Sequence, residues 1–204
     1  MRTLLSLCLC ALLCGCAKKT RSTTAEPDSP FGVAFGGAGA GEPKAIAPVR
    51  PALPAGWVEL QQPDGAFAVF LPASPRLKGM GAGSSLNQPL PAGRALMSDF
   101  AAQATGLYCE GGVAVFSPEL VDGVRTATER RPADGPNGKR APVTWAGHPA
   151  VEDTSEVPET RGLTVKRWMW IGNRMYYCTL YGQAPERPTA AERAAVFDSL
   201  VVGK

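Results

Sequence analysis

The chain has 204 residues, 45% of them hydrophobic, and sets 21 Lys and Arg against 18 Asp and Glu for a formal net charge of +3. With the N-terminal segments set aside, about 150 residues remain, which suits one ordinary domain with its own core. No long basic run with interleaved aromatics occurs, so nucleic acid is set aside as a partner, and the single histidine, His148, gives no basis for a multi-histidine metal centre.

The chain opens on Met1-Arg2-Thr3, with one positive side chain, followed by an apolar run from Leu4 to Leu13. A charged start, a short apolar run and small residues at its end predict a secretory signal peptide. The ending, Leu13-Cys14-Gly15-Cys16, resembles the lipobox of bacterial lipoproteins. That resemblance implies a signal peptide over 1–15, acylation of Cys16, and attachment to a membrane through the N-terminal lipid. Such lipoproteins generally carry more than one acyl chain. Each buried methylene is worth about 0.8 kcal/mol, and two or more chains hold a protein where one does not. Ala17, not Asp, follows Cys16, so no inner-membrane retention signal is present. The expectation is a bacterial cell-envelope protein, in the outer membrane rather than the inner, with its domain outside the cytoplasm. Two other readings fit less well. A zinc site of closely spaced cysteines lacks a second shell among these leucines, and a spanning helix, which needs about 20 apolar residues, is cut short at Lys18-Lys19.

Of the six cysteines, cleavage leaves Cys16, Cys109 and Cys178. In an oxidising compartment disulfides persist, so Cys109 and Cys178 are either bridged or two buried thiols acting as small apolar side chains. The sequence does not supply the Cα separation that a bridge requires.

Residues 16–54 read as a flexible tether. They lack periodicity and are punctuated by Gly36-Gly37, Gly39, Gly41 and prolines at 27, 30, 43, 48, 51 and 54. Such a segment cannot bury enough surface to offset its ordering entropy, and as a coil it spans roughly 35 Å. Phe31, Val33 and Phe35 alternate within it, either as docking residues or as low-complexity sequence.

The folded domain is expected over 55–204. Gly56 to Leu60 reads as a short strand, Pro63-Asp64-Gly65 as a turn and Ala66 to Pro72 as the partner strand, since Asp-Gly between apolar runs signals a hairpin. Residues 73–93 read as a surface loop. Arg94 to Gln103 and Leu107 to Phe116 read as strands, the second bulged or turned at Gly111-Gly112. Ser117-Pro118-Glu119 starts a helix, with Leu120, Val121, Val124, Ala127 and Thr128 on one face. Pro132 to Pro142 reads as a loop. Strands follow at 143–146, 149–154 and 163–171, and Ile171-Gly172-Asn173-Arg174 turns the last of these onto Met175 to Gly182. Thr189-Ala190-Ala191-Glu192 is a capping box opening a helix that carries Ala195, Val196 and Leu200 inward and ends near Val202. This order predicts an α+β domain built on a mainly antiparallel sheet flanked by helices.

Four stretches, in order, resemble those of small secreted bacterial domains. Gly56-Trp57 with Phe67-Ala68-Val69-Phe70-Leu71-Pro72 is similar to their F-S-V-x-x-P opening. Trp145-Ala146-Gly147-His148-Pro149-Ala150 is similar to their L-x-G-x-P-G/A turn. Ile171-Gly172-Asn173-Arg174-Met175-Tyr176 is similar to their x-G-N-R-L-Y hairpin, and Phe197-Asp198-Ser199-Leu200 to their closing F-x-S-F. Such domains resemble the PsbP-like fold, a helix-flanked antiparallel sheet whose members mostly act in binding or assembly. The pattern departs over 106–140, where the helix is short and the loop proline-rich.

No catalytic constellation stands out. No serine sits in G-x-S-x-G, although by count a triad with His148 stays open, since Ser98, Ser117 and Asp153 are present. A thiol dyad of Cys109 or Cys178 with His148 conflicts with the apolar strand patterns around both cysteines. Glu152, Asp153, Glu156 and Glu159 lack the spacing of an EF-hand loop and read as a solvated edge. Gly79-Met80-Gly81-Ala82-Gly83 lacks the Gly-Lys-Ser/Thr of a phosphate loop. The aromatic strands are the best site. Alternation places Trp168 with Trp170, and Tyr177 with Tyr181, on common faces. They form either core beneath the terminal helix or an exposed binding platform, with Arg167 and Arg174 supplying polar contacts. The leading expectation is therefore a non-catalytic binding or assembly domain on a lipid anchor, with no cofactor or metal and an envelope protein or polymer as partner. The alternatives are an envelope hydrolase or thiol enzyme with an unrecognised site, and a structural component that binds cell-wall polymer.

Overall fold

The computed structural model describes residues 50–62, 64–79, 85–104, 106–133, 137–157, 161–182 and 187–203. The expected signal peptide, Cys16, the tether up to residue 49 and the Met80–Gly83 run lie outside them.

The elements in chain order are β1 (Val58–Gln61), β2 (Phe67–Leu71), β3 (Arg76–Lys78), β4 (Ala95–Ala104), β5 (Leu107–Phe116), α1 (Pro118–Arg130), β6 (Lys139–Trp145), β7 (His148–Val157), β8 (Gly162–Ile171), β9 (Arg174–Gly182), α2 (Ala190–Phe197) and β10 (Val201–Val202). Seven strands form one antiparallel sheet in the order β3-β4-β5-β9-β8-β7-β6, and β1-β2-β10 form a second, smaller one. The domain is therefore α+β with a mainly antiparallel sheet.

Long strands follow from apolar side chains at period two, and tight turns join them. Between β6 and β7 the two-residue turn has positive φ at both Ala146 (50°) and Gly147 (82°), the geometry that matches strand twist in a hairpin. The smaller sheet and α2 cover one face of the large sheet. There Phe67 meets Phe100 with ring centroids 5.9 Å apart. Trp145 packs edge-on against Phe197 and donates its indole N–H to the Phe197 carbonyl at 2.6 Å. The core continues through Leu60, Val69, Leu71, Val113, Val165, Met169, Tyr176, Leu180 and Val196.

Five expectations change. Residues 73–93 are not simply a surface loop. Arg76–Lys78 pairs with β4, and Leu86 is buried, its amide held by the Asp64 carboxylate at 2.6 Å. The segment from Pro132 stops being loop at Lys139, because β6 pairs with β7 from there. Pro142 sits opposite Val151 on an edge strand, where its missing N–H costs little. β5 is neither bulged nor turned at Gly111-Gly112, since its register with β4 and β9 is unbroken. A Cβ on Gly112 would lie 2.2 Å from the Ser98 carbonyl oxygen, so glycine allows the strands to approach. Ser117 does not cap α1 with its side chain; its hydroxyl accepts from the Gly93 amide at 3.0 Å. Finally, α2 ends at Phe197, and Val201–Val202 is a strand on β2. Ser199 causes the break: its hydroxyl donates to the Val196 carbonyl and accepts from the Phe70 amide, both in buried surroundings.

Candidate functional site

The register of β4, β5, β9, β8 and β7 sorts every side chain of the large sheet to one face or the other. Trp168, Trp170, Tyr177 and Tyr181 all fall on the face away from the smaller sheet, with Trp168 directly opposite Tyr177. Arg167 and Arg174 fall on the other face, because each stands at odd spacing from the aromatics on its own strand. Arg167 bonds Glu152 at 2.7 Å, reaches Asp198 at 3.5 Å and stacks 4.6 Å from the Phe197 ring centre. It lines a shallow pocket of about 200 Å³ with Glu152, Arg193 and Asp198. Arg174 holds the Leu86 carbonyl and Asn87. Neither arginine joins the aromatic face, and the terminal helix does not cover it.

That face has two ends. At one end α1 lies against the sheet. Trp170 touches the Phe116 ring at 5.4 Å, and the Arg125 guanidinium sits 5.2 Å from its centre while donating to the Gly172 carbonyl at 2.9 Å. Trp168 is 5% exposed. Arg140 stacks over it at 5.6 Å, holds both oxygens of Asp153 at 2.6 Å, and donates to the carbonyls of Glu129 and Arg131 at the end of α1. Trp168 is thus core, and α1 and Arg140 are its cover.

The other end carries cross-strand rows that remain half-exposed or exposed. One row runs Gln103, Tyr108, Tyr181, Thr164, Ser155 across β4, β5, β9, β8 and β7. The next holds Ala101, Glu110, Thr179 and Lys166. Tyr177 and Asp99 lie where the two ends meet, and the Tyr177 hydroxyl donates to the Asp99 carboxylate. Burial raises the Asp99 pKa above its ordinary 3.8, the Tyr177 bond opposes this, and the Glu110 charge adds to it. Burial, then the hydrogen bond to Asp99, raises Tyr177. The Tyr108 hydroxyl donates to Glu110 at 2.9 Å, and burial followed by that bond pushes its pKa up to about 12. Both phenols are thus fixed as neutral donors at physiological pH.

The sequence reading missed Tyr108, Glu110, Asp99 and Gln103 as members of this face. The signal was present: Tyr108 and Glu110 alternate with buried Cys109, as Asp99 alternates with buried Ser98 and Phe100.

Other side chains with chemical potential have structural partners. Ser98 accepts from Gln62 at 2.9 Å in buried surroundings, Ser117 from Gly93, and Asp153 binds Arg140. Cys109 and Cys178 lie with sulfurs 3.7 Å apart as buried free thiols. No protein-family model matches the chain, and a comparison with curated proteins finds no match.

Proposed function

We propose that the chain is a lipid-anchored bacterial envelope protein, held by acylated Cys16 after removal of residues 1–15, whose 55–204 domain is PsbP-like and acts in binding or assembly rather than catalysis. One observation carries the binding reading: among the described residues, the large sheet packs the core against one face and is left open at one end of the other. There Tyr108, Tyr181, Gln103, Thr164 and Glu110 present aromatic and hydrogen-bonding groups together. A sheet face with polar groups held in place and flat rings suits recognition of a partner surface. The antiparallel order with a helix on each face supports the PsbP-like reading, and Leu13-Cys14-Gly15-Cys16 supports the anchor. A non-catalytic role is supported by the engagement of Ser98, Ser117 and Asp153 in buried or paired structural contacts.

The direct alignment of Tyr108 with Tyr181 on adjacent strands favours a second reading, a cell-wall polymer as the partner, because paired rings stack against sugar faces.

The test places a photo-crosslinking residue at 181 in the full chain, expressed in a bacterial envelope, beside the same residue at Leu77, an exposed position on the opposite side of the sheet register. The expected result is membrane-bound protein with an acylated N-terminal Cys16 by intact mass, and crosslinks from 181 but not 77. Cys16→Ser should release the protein from membranes. Equal crosslinking from both positions would remove the open face as the site, and a mature mass without lipid would remove the anchor. Retention on purified wall material, lost in Tyr108→Ser/Tyr181→Ser, would select the polymer.

A further inference from the structure

Cys109 and Cys178 belong to β5 and β9, which pair with each other inside the seven-stranded sheet. Cys109 stands opposite Leu180, and Cys178 opposite Gly111, so the two cysteines are diagonal neighbours on one face. That face is the one packed against the core: their exposures are 0% and 2%. The sulfurs are 3.7 Å apart and share a hydrogen bond. A disulfide requires about 2.05 Å. The strand positions beside Cys109 are Ala102 and Leu180, and those beside Cys178 are Gly111 and Arg167, so no residue of the ladder stands between the two cysteines.

We propose that Cys109 and Cys178 are joined by a disulfide that staples β5 to β9 and closes a loop spanning 69 positions of chain. The loop carries α1 and β6 to β8, so a single bond ties the whole second half of the sheet to its middle. The chemistry is thiol–disulfide exchange. The thiolate of one cysteine attacks an external disulfide, forming a mixed disulfide and releasing one external thiolate. The second cysteine, as thiolate, then attacks the protein sulfur of that mixed disulfide and releases the other. Two cysteine thiols are oxidised, one external disulfide is reduced to two thiols, and the two cysteine protons pass to those products.

The timing follows from burial. The Cys178 sulfur that shares its hydrogen bond, together with burial, holds the Cys109 thiol well above its ordinary value. The thiolate is the attacking species, so the finished fold reacts slowly and the bond forms while the strands are still open. The secretion reading bears only on where the oxidant is met in the cell; the test supplies the oxidant and is independent of it.

The full chain carrying C8S, C10S, C14S and C16S keeps Cys109 and Cys178 as its two thiols. It is refolded from the reduced, denatured state either in oxidised glutathione or in excess reductant. The expected product of the oxidised arm is a folded monomer whose peptides containing 109 and 178 are linked. It melts about 5–15 °C above the reduced arm, and a further C178S change abolishes both effects. The proposal is overturned if the folded, oxidised product takes up alkylating agent at both cysteines after denaturation, if folding succeeds only in reductant, or if linked and reduced forms melt together. None of these outcomes touches the acylation of Cys16, and loss of that acylation leaves this result standing.

Discussion

At the scale of single residues, the open face is organised by carboxylates that accept from tyrosines. Asp99 is the most constrained of them, half-buried beside Tyr177 and a diagonal neighbour of Glu110. Its pKa is raised, chiefly by burial, above the ordinary 3.8. The sign follows from proton linkage: a carboxyl that binds its proton more tightly when folded contributes stability that is complete below the unfolded pKa and lost as pH rises through the folded one. Asp99→Asn keeps an oxygen to accept from Tyr177 and removes the ionisation. The variant is therefore expected to unfold at equal or higher denaturant than wild type at pH 7, with the gap closing as pH falls below about 3.8. Chemical denaturation at pH 7 and pH 3 checks this, and a clear loss of stability at pH 7 would show that the charged form is the one the fold favours. Residue-scale patterns also mark the reach of sequence reasoning. Period-two spacing grouped Trp168 with Trp170 and Tyr177 with Tyr181 correctly, and the same spacing assigns Arg167 and Arg174 to the opposite face, where Arg167 braces Glu152 and Asp198. Whether an aromatic on a given face is covered depends on a helix that does not adjoin it in sequence, so the burial of Trp168 beneath Arg140 and α1 was not legible from its own strand.

At the scale of elements, the two helices differ in how they are held. α2 begins with a complete capping box, Thr189 with Glu192, and buries Ala195, Val196 and Phe197. α1 spans 13 residues, none of them buried, and leans on the sheet through half-buried Leu120, Val121 and Val124 and through Arg125 over Trp170. Elements with few buried apolar contacts open at lower free energy than the strands beneath them. Backbone amides of α1 are therefore expected to exchange with deuterium on the order of 100-fold or more faster than those of β5 and β9. Comparable protection would mean that α1 and the sheet open only as one unit. The same contrast explains which elements the sequence revealed. β4, β5, β8 and β9 have long alternating or apolar runs, and both helix starts carry local signals. β3 has three exposed residues and exists only through its pairing with β4. β6 begins in Lys139-Arg140-Ala141-Pro142, which lacks any apolar alternation. Val201-Val202 continued the apparent helical spacing of α2, yet pairs with β2, and Gly203 follows where a Cβ would collide 1.9 Å from the Gly65 carbonyl oxygen. In each of these cases a tertiary partner, not local propensity, decides the structure.

At the scale of the whole molecule, one face of the large sheet carries the main core and the other is divided between folding and exposure. The division predicts unequal costs along a single surface. Trp168 is a buried aromatic stacked under Arg140, whose guanidinium is fixed on both Asp153 oxygens. Trp168→Ala empties that space and is expected to cost about 3–5 kcal/mol. Tyr108 and Tyr181, two strand-rows away on the same face, are half-exposed, and Tyr108→Ser/Tyr181→Ser is expected to cost about 1 kcal/mol or less. Denaturant midpoints for both variants decide the matter. If the tyrosine variant loses as much as the tryptophan variant, the open end is a structural part of the domain, and a partner must be sought elsewhere on it. If the costs separate as expected, the tyrosine pair is held in place by a fold that does not need it. Its sequence is then free to answer to whatever lies against that end of the sheet, and the double variant becomes the folded control in which loss of binding can be read without loss of structure.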